Sequence, residues 1–131
     1  MKRDELERIA KEVVDAAFAV HSALGPGLLE SSYEMAFCHE LKLRGIQFER
    51  QKELPVSYKG VSLDCGYRMD ILVAGEIVIE LKAVEQILAI HEAQLLSYLK
   101  HADKPLGFLV NFNVTLIKDG IRRRVLRLPS S

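Results

Sequence analysis

Apolar and polar positions in the first third of the chain predict two helices. Over 4–24 apolar residues recur at intervals of three and four, which places them on one helical face; they are Leu6, Ile9, Ala10, Val13, Ala16, Ala17, Val20, Ala23 and Leu24. Asp4 and Glu7 are spaced as in a capping box, and the Gly-Pro-Gly run at 25–27 ends this helix. A second helix over 28–44 stops at Gly45, which suits a left-handed C-cap.

The middle of the chain alternates between apolar and polar residues, as half-buried β-strands do. Strands are predicted over 46–51, over 54–58 with Pro55 in an edge strand, and over 61–63 after a turn at Lys59 and Gly60. Two more strands, 67–73 and 76–82, flank Ala74 and Gly75 and form a hairpin, so that 61–82 is sheet with short turns. A helix over 85–101, a buried strand over 106–112 and a last strand over 120–128 follow. This order predicts an α/β fold, a mixed central sheet flanked by helices.

Composition narrows the class of protein. The 131 residues are 49% hydrophobic, which suits one domain over 1–131 with a real core. Lys plus Arg equals Asp plus Glu at 18 each, so the chain lacks the bulk positive charge of many nucleic-acid binders, although a local patch is compatible with this balance. Cys38 and Cys65 have no metal-type spacing, and we expect free thiols in a reducing compartment.

The termini and the hydropathy of the chain bear on its location. The amino terminus is charged and amphipathic and does not resemble an apolar signal region. No run reaches the roughly 20 apolar residues that are needed to cross a bilayer. We therefore expect a cytoplasmic protein without membrane contact.

The hairpin over 67–82 carries the chemistry that stands out. If its turn is centred on 74 and 75, Asp70 lies level with residues 79 and 80, and the carboxylates of Asp70 and Glu80 converge. Side chains alternate along a strand, so Glu80 and Lys82 point to one face while Leu81 points to the other. Two carboxylates and an ammonium are costly to hold together at the end of an apolar hairpin. A divalent cation would account for them.

The expected cation is Mg²⁺ or Mn²⁺, which takes oxygen ligands and is often held by one or two carboxylates plus substrate phosphate. Asp70 and Glu80 supply carboxylates, and the main-chain carbonyl of Leu81 lies between the site residues and adds a ligand. Lys82 helps to deprotonate a metal-bound water or offsets charge on the transition state. Such a site suits phosphodiester hydrolysis. The alternative without a catalytic role is that Asp70, Glu80 and Lys82 form surface ion pairs at a sheet edge, which contribute little to stability.

Two predicted helices hold further candidates. Glu30 and Tyr33 share a face in the first turn of the second helix, and Glu30 reaches the metal directly or through water. The alternatives are a carboxylate that favours the helix dipole and an ordinary half-buried aromatic. His91, Gln94 and Tyr98 form a polar stripe on the helix after the carboxylate strand, where Gln94 orients Lys82 or contacts phosphate.

These residues resemble a known superfamily. Asp70 followed after a hairpin by Glu80-Leu81-Lys82 resembles the PD-(D/E)XK motif of restriction-endonuclease-like nucleases, and Gln94 with Tyr98 resembles the extra motif of some exonuclease-type members. The run from Gly27 to Tyr33 is similar to the signature of the GxxExxY protein family, placed in that superfamily. The resemblance extends over roughly 6–127. Met69 stands where the motif has its Pro.

The resemblance implies a fold and a site. The fold is an αβββαβ core, here with an extra N-terminal helix, and the acidic site lies at one edge of the sheet. The implied site set is Glu30, Asp70, Glu80, Lys82 and Gln94, with Tyr98 and Arg68 as supports. Fold alone does not fix function.

The leading interpretation is a nuclease that uses Mg²⁺ or Mn²⁺ and acts on DNA or RNA. One alternative is a module on a nuclease fold that binds nucleic acid or protein without turnover. A hydrolase of small nucleotides would use the same metal site, but the sequence has no Gly-rich phosphate loop. The small size suggests a homodimer. Basic candidates for nucleic-acid contact have an equally good explanation as edge-strand or surface charges; they are Arg122, Arg123, Arg124, Arg127, Lys42, Arg44, Arg50 and Lys52.

Overall fold

A computed structural model, which describes residues 1–130, shows an α/β fold built on a mixed sheet. The helices are α1 (Arg3–Leu24), α2 (Glu30–Leu43) and α3 (Ala89–Ala102), with a 3₁₀ turn at Ile117–Gly120. The strands are β1 (Phe48–Glu53), β2 (Val56–Tyr58), β3 (Val61–Leu63), β4 (Arg68–Val73), β5 (Ile77–Lys82), β6 (Leu106–Asn111) and β7 (Ile121–Val125). The prediction of a restriction-endonuclease-like mixed sheet flanked by helices is confirmed.

The central sheet has the strand order β1-β4-β5-β6-β7. Only β5 and β6 run parallel, with α3 as the crossover between them, and the other pairs are antiparallel. The succession α2, β1, β4, β5, α3, β6 is the expected αβββαβ core, and α1 is the extra N-terminal helix.

The β2–β3 hairpin leaves the central sheet and forms a two-stranded sheet of its own. The predicted strands and short turns over 61–82 are present, but β3 and β4 belong to different sheets. Strand β4 can pair with only one strand on each side, and β1 and β5 already occupy both sides. All of β3 is exposed, so no core face draws it into the larger sheet.

Helices cover both faces of the sheet. Helices α1 and α2 form one core with inward-facing side chains of β5 that include Ile79 and Leu81, while α3 packs on the opposite face over Val78. Gly107 of β6 lies beneath α3, where a Cβ would come within 2.9 Å of Leu95, so a larger residue would push the helix outward. Within the described residues, no helix is long and apolar enough to cross a membrane.

The ends of α1 and α2 show which capping predictions hold. Helix α1 starts at Arg3 with Lys2 as N-cap and without a side-chain cap, so the capping box at Asp4 was wrong. Helix α2 starts at Glu30, two residues later than predicted, and its last residue is Leu43. Gly45 follows with a φ of 70°, in the left-handed conformation predicted for it. The amides of Gly45 and residue 46 bond back to the carbonyls of residues 42 and 41, which is the Schellman pattern.

Helix α3 starts at Ala89, four residues later than predicted, because a distant side chain holds the chain before it. Asn111, buried at the end of β6, accepts a hydrogen bond from Val84 N–H at 3.0 Å and donates one to Val84 C=O at 2.9 Å. Both main-chain groups of Val84 are thereby taken, so neither joins a helix. The long-range clamp keeps 83–88 non-helical.

The remaining strand ends differ by a few residues from the prediction. Strand β1 runs over Phe48–Glu53, and β7 ends at Val125, so Arg127 lies beyond the strand. The turn between β2 and β3 has positive φ at Lys59 and Gly60, as predicted. Cys38 is buried and Cys65 is exposed, and both are free thiols.

We predict that Asn111→Ala lowers the free energy of unfolding by about 1–2 kcal/mol, because it leaves two part-buried main-chain groups of Val84 without their partners. The measurement is urea unfolding followed by circular dichroism. Asn113→Ala is the control: Asn113 joins the cluster through its backbone N–H, which the substitution retains. Equal stability of Asn111→Ala and wild type would contradict the clamp.

Candidate active site

The turn of the β4–β5 hairpin sets the register that brings the carboxylates together. Ala74 and Gly75 have φ values of 53° and 69°, and Glu76 N–H donates to Val73 C=O at 2.9 Å. This is the pattern of a type I′ turn. The paired residues run from Val73 opposite Ile77 to residue 71 opposite residue 79. Residue 70 therefore lies level with residue 80, as predicted from the turn.

Where the ladder of main-chain hydrogen bonds between β4 and β5 ends, the carboxylates of Asp70 and Glu80 act as the acceptors instead of main-chain carbonyls. The N–H of Asp70 donates to Oε2 of Glu80 at 2.9 Å, and the N–H of Leu81 donates to Oδ2 of Asp70 at 2.8 Å. Each carboxylate thus holds the main chain of the opposite strand. In an extended strand the N–H and C=O of one residue point to the same neighbour. The carbonyl of Leu81 therefore faces β4 and the two carboxylates, as the predicted ligand role requires.

The acidic groups are held where negative charge is unfavourable. Burial and the neighbouring Asp70 raise the pKa of Glu80 to about 8; its side chain is 4% exposed. Burial also raises the pKa of Asp70, although hydrogen bonds from Leu81 and Gln51 oppose the rise. Lys82 provides the nearby positive charge that favours both carboxylates. The site holds more negative charge than Lys82 balances.

A second carboxylate network lies between Asp70 and helix α2, and it was not predicted from the sequence. Glu34 on α2 is 7% exposed and accepts hydrogen bonds from Arg50 Nε at 2.6 Å and Gln51 Nε2 at 2.7 Å. In the β1–β4 register Gln51 stands opposite Asp70, and its side chain lowers the pKa of that carboxyl. Gln51 thus links two acids, with Arg50 balancing the charge of Glu34.

Gln51 occupies this position at a conformational cost. Its φ is 54°, in the left-handed region that residues other than Gly enter rarely. Such strain persists only where surrounding contacts enforce it, and it clusters at functional sites. Glu34 lies four residues after Glu30 on the helix, a spacing that shows in the sequence, whereas nothing local marks the left-handed backbone of Gln51.

Glu30 and Tyr33 lie close together in sequence but do different things. Glu30 is exposed at the rim, where burial and the charge of Asp70 raise its pKa. Tyr33 is fully buried, so it does not reach a substrate. Its hydroxyl donates to Gly25 C=O at 2.6 Å and accepts from Leu28 N–H at 3.1 Å. Tyr33 fixes the loop that leads into α2.

The aromatic ring of Tyr33 also ties α2 to the strand ends. It stacks on Phe112 with ring centroids 4.5 Å apart and an interplanar angle of 6°. The N–H of Phe112 donates to Lys82 C=O at 3.0 Å. The stacked pair therefore connects the start of α2, which carries Glu30, to the end of β5, which carries Lys82.

The polar stripe on α3 splits into two parts. Gln94 Nε2 donates to the Tyr98 hydroxyl at 3.0 Å, and burial and Glu80 raise the pKa of Tyr98. Gln94 therefore reaches the acidic site through Tyr98, and no hydrogen bond joins it to Lys82 within residues 1–130. His91 caps α3, since its Nδ1 accepts from Leu88 N–H at 3.0 Å.

The basic candidates form separate contacts. Three arginines at the C-terminal end pair with acids: Arg123 with Glu7, Arg124 with Glu92 and Arg127 with Asp103. Arg68 is exposed, and its guanidinium donates to Gln51 C=O at 3.3 Å. Arg68 therefore contacts the strained segment behind the site, as a supporting residue would. The paired arginines are already largely neutralised.

The carboxylates do not form a closed metal cage. Within residues 1–130, no three His, Cys, Asp or Glu side chains come together as a ready-made metal-binding group. Asp70 and Glu80 are the central pair, and Glu30 stays at the rim. A cation here would have two carboxylates, a carbonyl and water or substrate oxygens around it, which is a common arrangement for Mg²⁺.

Comparison with known proteins gives one match. The profile of a family described as the PD-(D/E)XK nuclease superfamily matches residues 7–124. The search of curated proteins and the search of solved structures found no significant match. The matched segment contains the carboxylate hairpin, the strained strand β1, and all of α2 and α3.

We predict that metal-free protein loses stability as the pH rises from about 4.5 to about 8. The folded state keeps the Glu80 proton up to its pKa of about 8, whereas the unfolded chain releases it near the ordinary value of 4.5. The folded state binds more protons in this window, so the free energy of unfolding falls as pH increases. Glu80→Gln removes this contribution, so the variant is more stable than wild type at pH 8 and its stability falls less between the two pH values.

The measurement is urea unfolding in EDTA at pH 5 and pH 8.5. Glu53→Gln, at an exposed position on β1, is the matched control and should follow wild type. If Glu80→Gln loses as much stability as wild type between the two pH values, Glu80 is not the group responsible.

Proposed function

The chain belongs to the PD-(D/E)XK nuclease superfamily, and on this basis we propose that it is a metal-dependent nuclease that hydrolyses phosphodiester bonds of DNA or RNA. One observation carries the proposal: Asp70 and Glu80 are locked side by side by hydrogen bonds at 2.9 Å and 2.8 Å, with Lys82 two residues further along β5. The Gly27, Glu30 and Tyr33 spacing supports assignment to the GxxExxY group within the superfamily.

The chemistry of the donors fits a hard divalent cation. Two carboxylates and the carbonyl of Leu81 face one another, and all are oxygen ligands of the kind Mg²⁺ and Mn²⁺ take. The pKa values of Asp70 and Glu80 are raised, chiefly by burial, although Lys82 lies nearby, so a cation at this position would favour both charged carboxylates. Glu30 at the rim is placed to act through water. A bound Mg²⁺ or Mn²⁺ would supply a Lewis acid and an activated water.

The protein's own groups position the substrate and balance charge. Lys82 shares a strand face with Glu80 and Val78, so its ammonium is placed to offset negative charge that develops on the phosphate. The hydrogen bonds from main-chain N–H groups keep both carboxylates in fixed orientations before substrate arrives. The Glu34–Gln51 network holds Asp70 from behind.

We predict that Lys82→Ala reduces the cleavage rate at least about a hundredfold, since it removes charge stabilisation from the transition state. The assay is cleavage of labelled single- and double-stranded DNA and RNA with Mg²⁺, Mn²⁺ or EDTA. Lys100→Ala removes an exposed ammonium from α3 and is the matched control, expected to retain activity. Cleavage should vanish in EDTA.

The pattern of cleavage across these conditions decides between a nuclease and a non-catalytic binding module. Full activity in Lys82→Ala, or activity that persists in EDTA, would contradict the proposed site. Binding of nucleic acid without cleavage in any lane, by protein that is folded by circular dichroism, would instead favour the binding module on a nuclease fold.

We further predict that Gln51→Asn weakens Mn²⁺ binding about tenfold, because the shorter amide cannot bridge Glu34 and Asp70. Asn tolerates the left-handed backbone at this position, so the substitution tests the side chain and not the strain. Calorimetric titration with Mn²⁺ measures the dissociation constant, with Gln86→Ala at an exposed position as control. An unchanged dissociation constant would contradict a role for Gln51 in orienting Asp70.

A further inference from the structure

A groove adjoins the carboxylates on the α3 side of the sheet. It has a volume of about 410 Å³ and lies between α3 and the segment that holds the β2–β3 hairpin. Its apolar walls come from Leu54, Val56, Ile90 and the rings of Tyr67 and Tyr98. Tyr98 lines the groove and packs in one cluster with Met69, which precedes Asp70, and with Val78, which shares a face of β5 with Glu80. The groove and the acidic site therefore have Tyr98 as a common wall.

The groove differs from the acidic site in charge. Among residues 1–130, no Asp, Glu, Lys or Arg lines it. Hydrogen-bonding groups are present at its polar side, from Gln94, Ser97 and His101. A phosphate would find no cation here, and an aliphatic chain would leave these polar groups without partners. The lining matches a flat, uncharged group with hydrogen-bonding edges.

Two large side chains at the groove are exposed in a way that suits ligand contact. Ile90 is 68% exposed, and Tyr67 is 49% exposed although it precedes a buried strand. Exposed apolar and aromatic groups that cluster beside a concave surface commonly mark a binding site. Because Tyr67 lines the groove and about half of its surface is accessible, it is the aromatic side chain most available for stacking there.

We propose that this groove binds an unpaired nucleobase next to the scissile phosphate, so that the substrate is a single strand or a duplex with an unpaired nucleotide at the cleavage point. The inference rests on the proposed nuclease function. A nucleobase is uncharged and planar, stacks on aromatic rings and has polar edges. A base inside a duplex is stacked on its neighbours and cannot enter a side groove without leaving the helix.

The test uses oligonucleotides that carry one 2-aminopurine, whose fluorescence changes on stacking. DNA and RNA single strands and the matching blunt duplexes are titrated with Glu80→Gln protein in Mg²⁺, a background in which the probe stays intact. Tyr67→Ala added to this background should weaken single-strand binding about tenfold, the usual loss when one stacking partner is removed. Tyr67→Phe should restore it, since the ring is retained.

Tyr58→Ala is the matched control. Tyr58 is an exposed tyrosine, 61% accessible, in the nearby β2–β3 hairpin, and it does not line the groove. Its removal should leave binding within about twofold of the parent. Equal affinity of the parent and Tyr67→Ala, equal affinity for the single strand and the blunt duplex, or no saturable binding of single strands would overturn the groove assignment.

Cleavage by wild-type protein separates this inference from the proposed function. Cleavage together with binding that ignores Tyr67 leaves the nuclease standing and removes the groove. Binding that depends on Tyr67 without any cleavage removes the nuclease and leaves a base-binding groove. The DNA and RNA arms show which sugar the groove accepts.

Discussion

The site depends on two hydrogen bonds in which side-chain carboxylates take the place of main-chain carbonyls. At the end of the β4–β5 ladder, Glu80 receives the N–H of Asp70, and Asp70 receives the N–H of Leu81. Both acids are therefore part of the sheet and have little freedom to turn away from each other. Burial raises the pKa of both acids in spite of these bonds, and the nearby charge of Glu34 raises that of Asp70 and the charge of Asp70 that of Glu80. The same interactions that order the strands hold negative charge in place, and this is the state a cation would relieve.

Residues around the site keep the two carboxylates in this arrangement by fixing the elements that carry them. Glu34 and Gln51 hold Asp70 from the side of α2 and β1. The stacked pair of Tyr33 and Phe112 fixes the start of α2 against the strand ends, and Asn111 fixes the chain just after Lys82. These contacts are buried and join segments far apart in sequence. They show why a site of so few residues requires most of the fold.

The local features of this architecture could be predicted from the sequence, whereas the features that depend on long-range contacts could not. Periodicity gave the helices, and the turn at Ala74 and Gly75 gave the hairpin register that aligns Asp70 with Glu80. The start of α3 was misplaced because Asn111, distant in sequence, controls residues 83–88.

Other errors have similar causes. The left-handed backbone of Gln51 has no local signal, and its partners come from two other elements. The separation of β2 and β3 from the main sheet follows from competition among strands for the edges of β4, which no single segment reveals. The motif resemblance predicted that Gln94 and Tyr98 belong together. Only the structure shows that Gln94 donates a hydrogen bond to the Tyr98 hydroxyl.

On the proposed function, a chain with 18 basic and 18 acidic residues has to hold a polyanion without a general positive field. Three arginines of the C-terminal region, Arg123, Arg124 and Arg127, pair with Glu7, Glu92 and Asp103, which reduces the charge they offer to phosphates. Phosphate contacts normally dominate affinity for nucleic acid. On the proposed function, a cation at the carboxylates and stacking in the uncharged groove beside Tyr98 provide the affinity that phosphate contacts would otherwise provide. Stacking on Tyr67 requires a free base face, which a base inside a duplex does not offer, so the proposed groove selects for unpaired nucleotides without any contribution from surface charge.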